Sequence, residues 1–157
     1  VFERANRKYC IRAYKTMVRG AQKGEDSVRR IYTYYDGEGS PVNDFLKKAD
    51  TKIRNKFIFC IEYVRDDKNC FGEPYVKHFS GGKFSRLYEV RIMAVSKMVR
   101  VIFYEHNGDI TLLYAFYKKT LKDTKNALVA ALKILDKITD SEGAVLEKHR
   151  KELILSD

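Results

Sequence analysis

The sequence predicts an α+β fold: an antiparallel sheet of about four strands, two helices after the first strand, and a third helix after the last. Three observations carry this. A short alternating run near residue 30 passes directly into apolar spacing of helical period. Three more alternating runs lie between Arg86 and Lys118, the last two joined by Asn107-Gly108. Leu128, Ala131, Leu132, Leu135 and Ile138 then return to helical spacing.

Each element has a local cause. "RRIYTYYD" (Arg29 to Asp36) alternates β-branched and aromatic residues with polar ones, the pattern of a half-buried strand. "GEGSP" breaks it. Ser40 supplies a hydroxyl cap and Pro41 loses nothing at a first helical position, so a helix is expected from Pro41 to Lys48. Asp50 or Thr51 caps a second helix to about Arg65, with Ile53, Phe57, Ile61 and Val64 on one face. "DDKNCFGEP" reads as a loop, and "YVKHFSGGKFS" carries no clear period apart from a turn at Gly81-Gly82. "RLYEVRIM" and "MVRVIFYE" read as strands about the connection "AVSK", followed by the strand "DITLLYAFYK". Asn107-Gly108 is the strongest short-range hairpin signal, because both residues tolerate the positive φ of a type I′ turn. "KKTLKD" leads into the last helix, from about Thr124 to Ile138.

The flanks differ from this body. In residues 1–28, Cys10, Tyr14, Met17, Val18 and Ala21 fall at helical spacing between Arg4, Lys8, Arg12, Lys15 and Arg19. This is a basic helical extension, expected to pack on the domain. The chain opens on Val1, and Met17 is a candidate start. The division is therefore an extension (1–28), one domain (29–139) and a tail (140–157) with a short, marginal helix.

Composition narrows the function classes. A chain of 157 residues with 45% hydrophobic and 33% charged content makes a single globular core. No apolar run reaches the roughly 18 residues of a membrane span, and no charged n-region precedes an apolar h-region, so no secretory signal is expected. Cys10, Cys60 and Cys70 are odd in number and lack C-x-x-C spacing. That argues against a disulfide framework and a zinc site, and for a reducing, cytoplasmic setting. Cys60, in an apolar helical run, reads as a core residue. No phosphate-binding glycine loop, H-E-x-x-H or nucleophile elbow appears, so no cofactor and no metal are expected. Thirty-one Lys and Arg against twenty-one Asp and Glu leave a net charge of +10. Such a balance suits a polyanionic partner: nucleic acid, an anionic surface or an acidic protein.

The hairpin register gathers part of that charge. With Asn107 and Gly108 as the turn, Arg100 lies opposite Ala115 and Ile102 opposite Leu113. If Met93 pairs with Met98, Arg91 lies opposite Arg100, and alternation adds Glu89 and Tyr117 to that face. Two opposed arginines destabilise a sheet unless something offsets them. One offset is local, with Arg91 paired to Glu89. The other is a ligand: Ala115 leaves a recess, and Lys118, Lys119 and Lys122 stand where the last strand leaves the sheet. Strict alternation puts Lys119 on the face of Arg100, with Lys118 taking its place if the strand ends early. Such a recess suits phosphate.

The residues that build it also carry a resemblance. "IYTYYDGEGSPVNDFLKKADTKIRNKFIFCIEYV", "RLYEVRI" and "VRVIFYEHNGDITLLYAFYKKTLKDTKNALVAAL" follow one another as in the RelE/ParE toxin superfamily, in its HigB-like, phage-associated branch. The similarity covers roughly residues 30 to 136 and rests on the order and spacing of the pieces. Members often carry Thr-Pro after the lysine run where this chain has Thr124-Lys125, a change at a helix start. The resemblance implies a RelE-like fold and the toxin of a type II toxin–antitoxin pair. It implies a cognate antitoxin, expected to be a helix-turn-helix protein, with the ribosome and mRNA as further partners and no membrane. It implies an endoribonuclease that cuts mRNA on the ribosome, and carries site roles to Arg91, Arg100, Lys118 and Lys119, with Phe116 and Lys122 as RNA contacts.

The chemistry needs no metal. Cleavage by the ribose 2′-OH requires removal of its proton, neutralisation of the phosphorane, and protonation of the leaving 5′-oxygen. Arginine cannot serve as the base but grips nonbridging oxygens in a bidentate fork. A lysine crowded by like charge releases its proton more readily and suits proton transfer. Tyr117 is a candidate to stack on a base or donate a proton. His78 is a further candidate RNA contact, while His106 in the turn and His149 in the tail are not. Two other readings stand beside this one: a gyrase-inhibiting toxin on the same fold, and a non-catalytic module that binds nucleic acid or antitoxin.

Overall fold

The computed structural model, which describes residues 29–66 and 75–153, holds six strands, and alternation with β-branched content accounts for the four longer ones. The six are β1 (Arg30–Tyr34), β2 (Val76–His78), β3 (Leu87–Ala94), β4 (Lys97–His106), β5 (Asp109–Tyr117) and β6 (Arg150–Glu152). All join one sheet in the order β2-β3-β4-β5-β1-β6. β1 runs parallel to β5, and every other pairing is antiparallel. The α+β class stands, but the expectation of about four strands is corrected to six. The two additions are edge strands of three residues, too short to show a period. β2 comes from the unassigned "YVKHFSGGKFS", and β6 from the tail expected to hold a helix, where a 3₁₀ turn at Glu147–His149 leads into the strand. The predicted basic helix over 1–28 and the loop around Cys70 lie outside the described residues.

Three α-helices are described. Ser40 caps α1 (Pro41–Lys48), its hydroxyl accepting from the Asn43 amide at 3.4 Å. α2 (Thr51–Asp66) follows after two residues. α3 spans Leu121–Ile138, so it begins three residues before the expected Thr124. The cause is a capping box: Thr120 accepts from the Asp123 amide, and Asp123 Oδ2 accepts from the Thr120 and Lys119 amides at 2.8 Å.

The helices cover opposite faces of the sheet. α1 and α2 lie on one, burying Ile53, Phe57, Ile61 and Val64 against Val90, Val101, Phe103 and Leu112. α3 lies on the other, with Leu128, Ala131, Leu135 and Ile138 against Leu87, Ile102, Tyr104 and Leu113. Burial of a side chain such as Phe57 contributes about 1.5–3 kcal/mol each, so both faces are cohesive.

Register decides what the strands present. β3 and β4 pair as expected, with Met93 opposite Met98 and Arg91 opposite Arg100. β4 and β5 pair as expected only from the turn to Phe103 and Leu112. A bulge at Ile102/Phe103 then shifts the register, so Arg100 faces Phe116 rather than Ala115, and Ile102 faces Tyr114 rather than Leu113. The extra residue on β5 inverts its alternation beyond that point.

Candidate cationic site on the sheet

The bulge puts Phe116, not Tyr117, on the face of Arg100. Tyr117 turns to the opposite face, where its ring lies 4.8 Å from Phe45 and under Lys97 Nζ at 5.2 Å. The Lys118 amide continues the ladder one step, donating to Met98 O at 2.8 Å. By the same alternation Lys118, half-buried, shares the face of Arg100, whereas Lys119 is exposed and points away. That reverses the order that strict alternation without a bulge had given. Lys122 is exposed in the first turn of α3.

At the centre stands Glu89. It is 1% exposed, and its Oε1 lies 3.3 Å from Arg91 Nε and 3.5 Å from Arg100 Nε. The opposed arginines that the register demands are thus offset by one buried carboxylate between them. Their side chains are 26% and 10% exposed, so both guanidinium groups sit in a partly desolvated setting. The Arg100 outer nitrogens have weaker partners: Nη1 donates to Val99 O at 3.2 Å, and among the described residues Nη2 reaches only the Met98 thioether at 3.9 Å. Burial pushes the Arg100 pKa down; Glu89 pulls it up, and Arg91 pushes it down further. Glu89 Oε2 has no hydrogen-bond partner among the described residues, nor has Arg100 Nε, whose 3.5 Å contact is an ion pair only.

Lys77 belongs to the same face and escaped sequence reasoning. It sits on β2 directly opposite Glu89, with Nζ 5.4 Å over the Phe79 ring. Its signal was the alternation of "VKH", hidden in a strand of three residues. His78 lies apart from Arg100: exposed on that edge strand, it stacks on Tyr88 at 4.6 Å, and its Nε2 lies 2.6 Å from Ser85 O. The structure therefore brings together Glu89, Arg91, Arg100, Phe116 and Lys118, adds Lys77, and leaves Tyr117 and His78 on the other face. Among the described residues, no cluster of three His, Cys, Asp or Glu side chains is placed to hold a metal ion. Among them, too, no helix is long and apolar enough to cross a membrane.

The segment holding this arrangement matches the family described as phage derived protein Gp49-like (DUF891), over residues 44–136. The chain belongs to that family. Gp49-like proteins form a RelE/toxin-like family associated with toxin–antitoxin systems. The match runs from α1 nearly to the end of α3 and includes Glu89, Arg91, Arg100 and Lys118. No curated protein and no solved structure matches the chain.

Proposed function

We propose that this Gp49-like protein is the toxin of a type II toxin–antitoxin pair, HigB-like within the RelE/ParE superfamily, and that it cuts mRNA on the translating ribosome. The observation that carries the reading is the pair of directly opposed arginines, Arg91 and Arg100, beside Lys118 and Phe116 on one face of the sheet. A phosphate is the ligand that such a cationic pair accommodates best. In the reaction the ribose 2′-hydroxyl gives its proton to water as its oxygen attacks phosphorus, and the bond to the 5′-oxygen breaks, leaving a cyclic phosphate and, once that oxygen is protonated, a 5′-hydroxyl. Arg100 and Arg91 donate to the nonbridging oxygens as negative charge grows on them. Lys118, on the same face, hands a proton to the departing oxygen, and Phe116 offers a ring to a neighbouring base. Lys119 and Lys122, on the exposed side of the same junction, attract the RNA backbone. A helix-turn-helix antitoxin silences the toxin by covering this charge, and both act in the cytoplasm.

The test is induction in cells, with mapping of mRNA ends and an assay of DNA supercoiling. New 5′ ends inside translated frames, with supercoiling unchanged, are the expected result. Loss of supercoiling without new ends would assign gyrase inhibition instead. Relief of growth arrest by co-expressing the neighbouring gene product identifies the antitoxin.

A further inference from the structure

We infer that Glu89 is a positioning residue of the cationic site, holding Arg91 and Arg100 by their Nε edges so that one phosphate meets both. This rests on the reading of the chain as an RNA-cutting toxin and goes beyond it. The geometry supplies the reason. A carboxylate that merely neutralised the arginines would pair most strongly with their terminal nitrogens, in a two-bond fork. Glu89 instead places a single oxygen, Oε1, 3.3 Å from Arg91 Nε and 3.5 Å from Arg100 Nε. It thus bridges two strands from one side and leaves the Arg100 outer end to weak acceptors. Nη2 of that end is held by a thioether at 3.9 Å, a contact that a phosphate oxygen readily displaces. Met98 is unbranched and half-buried, so it can swing aside when the anion enters.

The burial argues the same way. Glu89 is 1% exposed and still leaves Oε2 unpartnered among the described residues, an arrangement unfavourable for stability alone. The carboxylate also cancels one of two positive charges. Without it, the pair would attract any polyanion more strongly while losing the fixed spacing that a transition state needs. Position and charge are therefore separable by substitution. Glu89→Asp keeps the charge but is shorter by one methylene and cannot span both Nε atoms. Glu89→Gln keeps the length and removes the charge.

The experiment uses the full chain, with two readouts corrected for folded fraction by circular dichroism. One is binding of a fluorescein-labelled single-stranded RNA across a salt series. The other is single-turnover cleavage on ribosomes programmed with an mRNA that the wild type cuts. Glu89→Asp should bind RNA within about twofold of wild type, with the same salt slope, yet cleave at least about tenfold more slowly at saturation. Glu89→Gln should bind more tightly, with a slope steeper by up to about 0.7 for the freed charge, and also cleave slowly. A purely structural role would leave both corrected readouts of Glu89→Asp at their wild-type values. Wild-type cleavage by Glu89→Asp, or binding that falls in step with cleavage in both variants, overturns the inference while leaving the toxin reading intact. A wild-type protein that neither binds nor cuts RNA overturns both.

Discussion

The sheet face beneath α3 has two unlike ends. At one, Leu87, Ile102, Tyr104 and Leu113 meet Leu135 and Ile138, and the Tyr104 hydroxyl closes the edge by donating to Gly143 O at 2.7 Å. At the other lie Glu89, Arg91 and Arg100, where α3 has only begun. Each end carries a two-residue turn with positive φ at both positions. Asn107 and Gly108, at 51° and 86°, are the residues such a turn selects. Val95 and Ser96, at 53° and 57°, are not, and a β-branched residue there costs about 1–2 kcal/mol. Met93, Val95 and Leu121, the large apolar side chains left exposed among the described residues, all belong to this second end. The closed end therefore supplies the stability. The other end carries strain, exposure and buried charge, the pattern of residues chosen for something other than folding.

The largest expected effect lies at the closed end. Leu135→Ala removes a fully buried side chain and should lower stability by about 2–5 kcal/mol in denaturant melts. RNA affinity per folded molecule should not change; if it fell, the two ends would not be independent. A smaller effect of opposite sign is expected at the strained turn. Replacing Val95→Asn together with Ser96→Gly should stabilise the protein by about 1 kcal/mol. A neutral or destabilising result would mean that the turn is not strained.

The smallest effect is acidic. Hydrogen bonds from the Thr120 and Lys119 amides hold the Asp123 carboxyl below the usual carboxylate range. Those from Gly39 and Glu38 do the same for Asp36, toward Lys137 at the closed end. A depressed folded pKa gives stability that is present above the unfolded value of about 3.9 and is lost as pH falls through the folded one. Asp123→Asn should therefore flatten part of the acid limb below about pH 4, leaving the share due to Asp36. An unchanged limb would remove Asp123 from the account.

Much of this was legible, for reasons that mark where legibility stops. The opposition of Arg91 and Arg100 follows from the length of one turn, so four residues of connection sufficed. The bulge did not follow, because "TLLYA" holds consecutive apolar residues and either parity fills the face. That one insertion exchanged Tyr117 for Phe116 and Lys119 for Lys118. The early start of α3 was readable in Thr120 and Asp123, though the box uses Asp where Glu or Gln is commoner. β2 and β6 were not readable, because three residues carry no period and depend on the strands they border. Glu89 was legible as the partner of Arg91, two residues before it on the same face, but its reach across the ladder to Arg100 was not.

If Arg100 is placed for a phosphate rather than for the sheet, its loss slows cutting and spares the fold. Arg100→Ala tests it in induced cells, by growth and mapped mRNA ends, with Arg100→Lys beside it. Arg91 keeps Glu89 paired in both variants, so both should fold. Arg100→Ala should cut roughly a hundredfold more slowly, about 3 kcal/mol of transition-state stabilisation, and relieve growth arrest. Arg100→Lys should fall between it and wild type, since a point charge restores attraction without the fork. Full toxicity with unchanged ends in a folded Arg100→Ala protein would contradict the account.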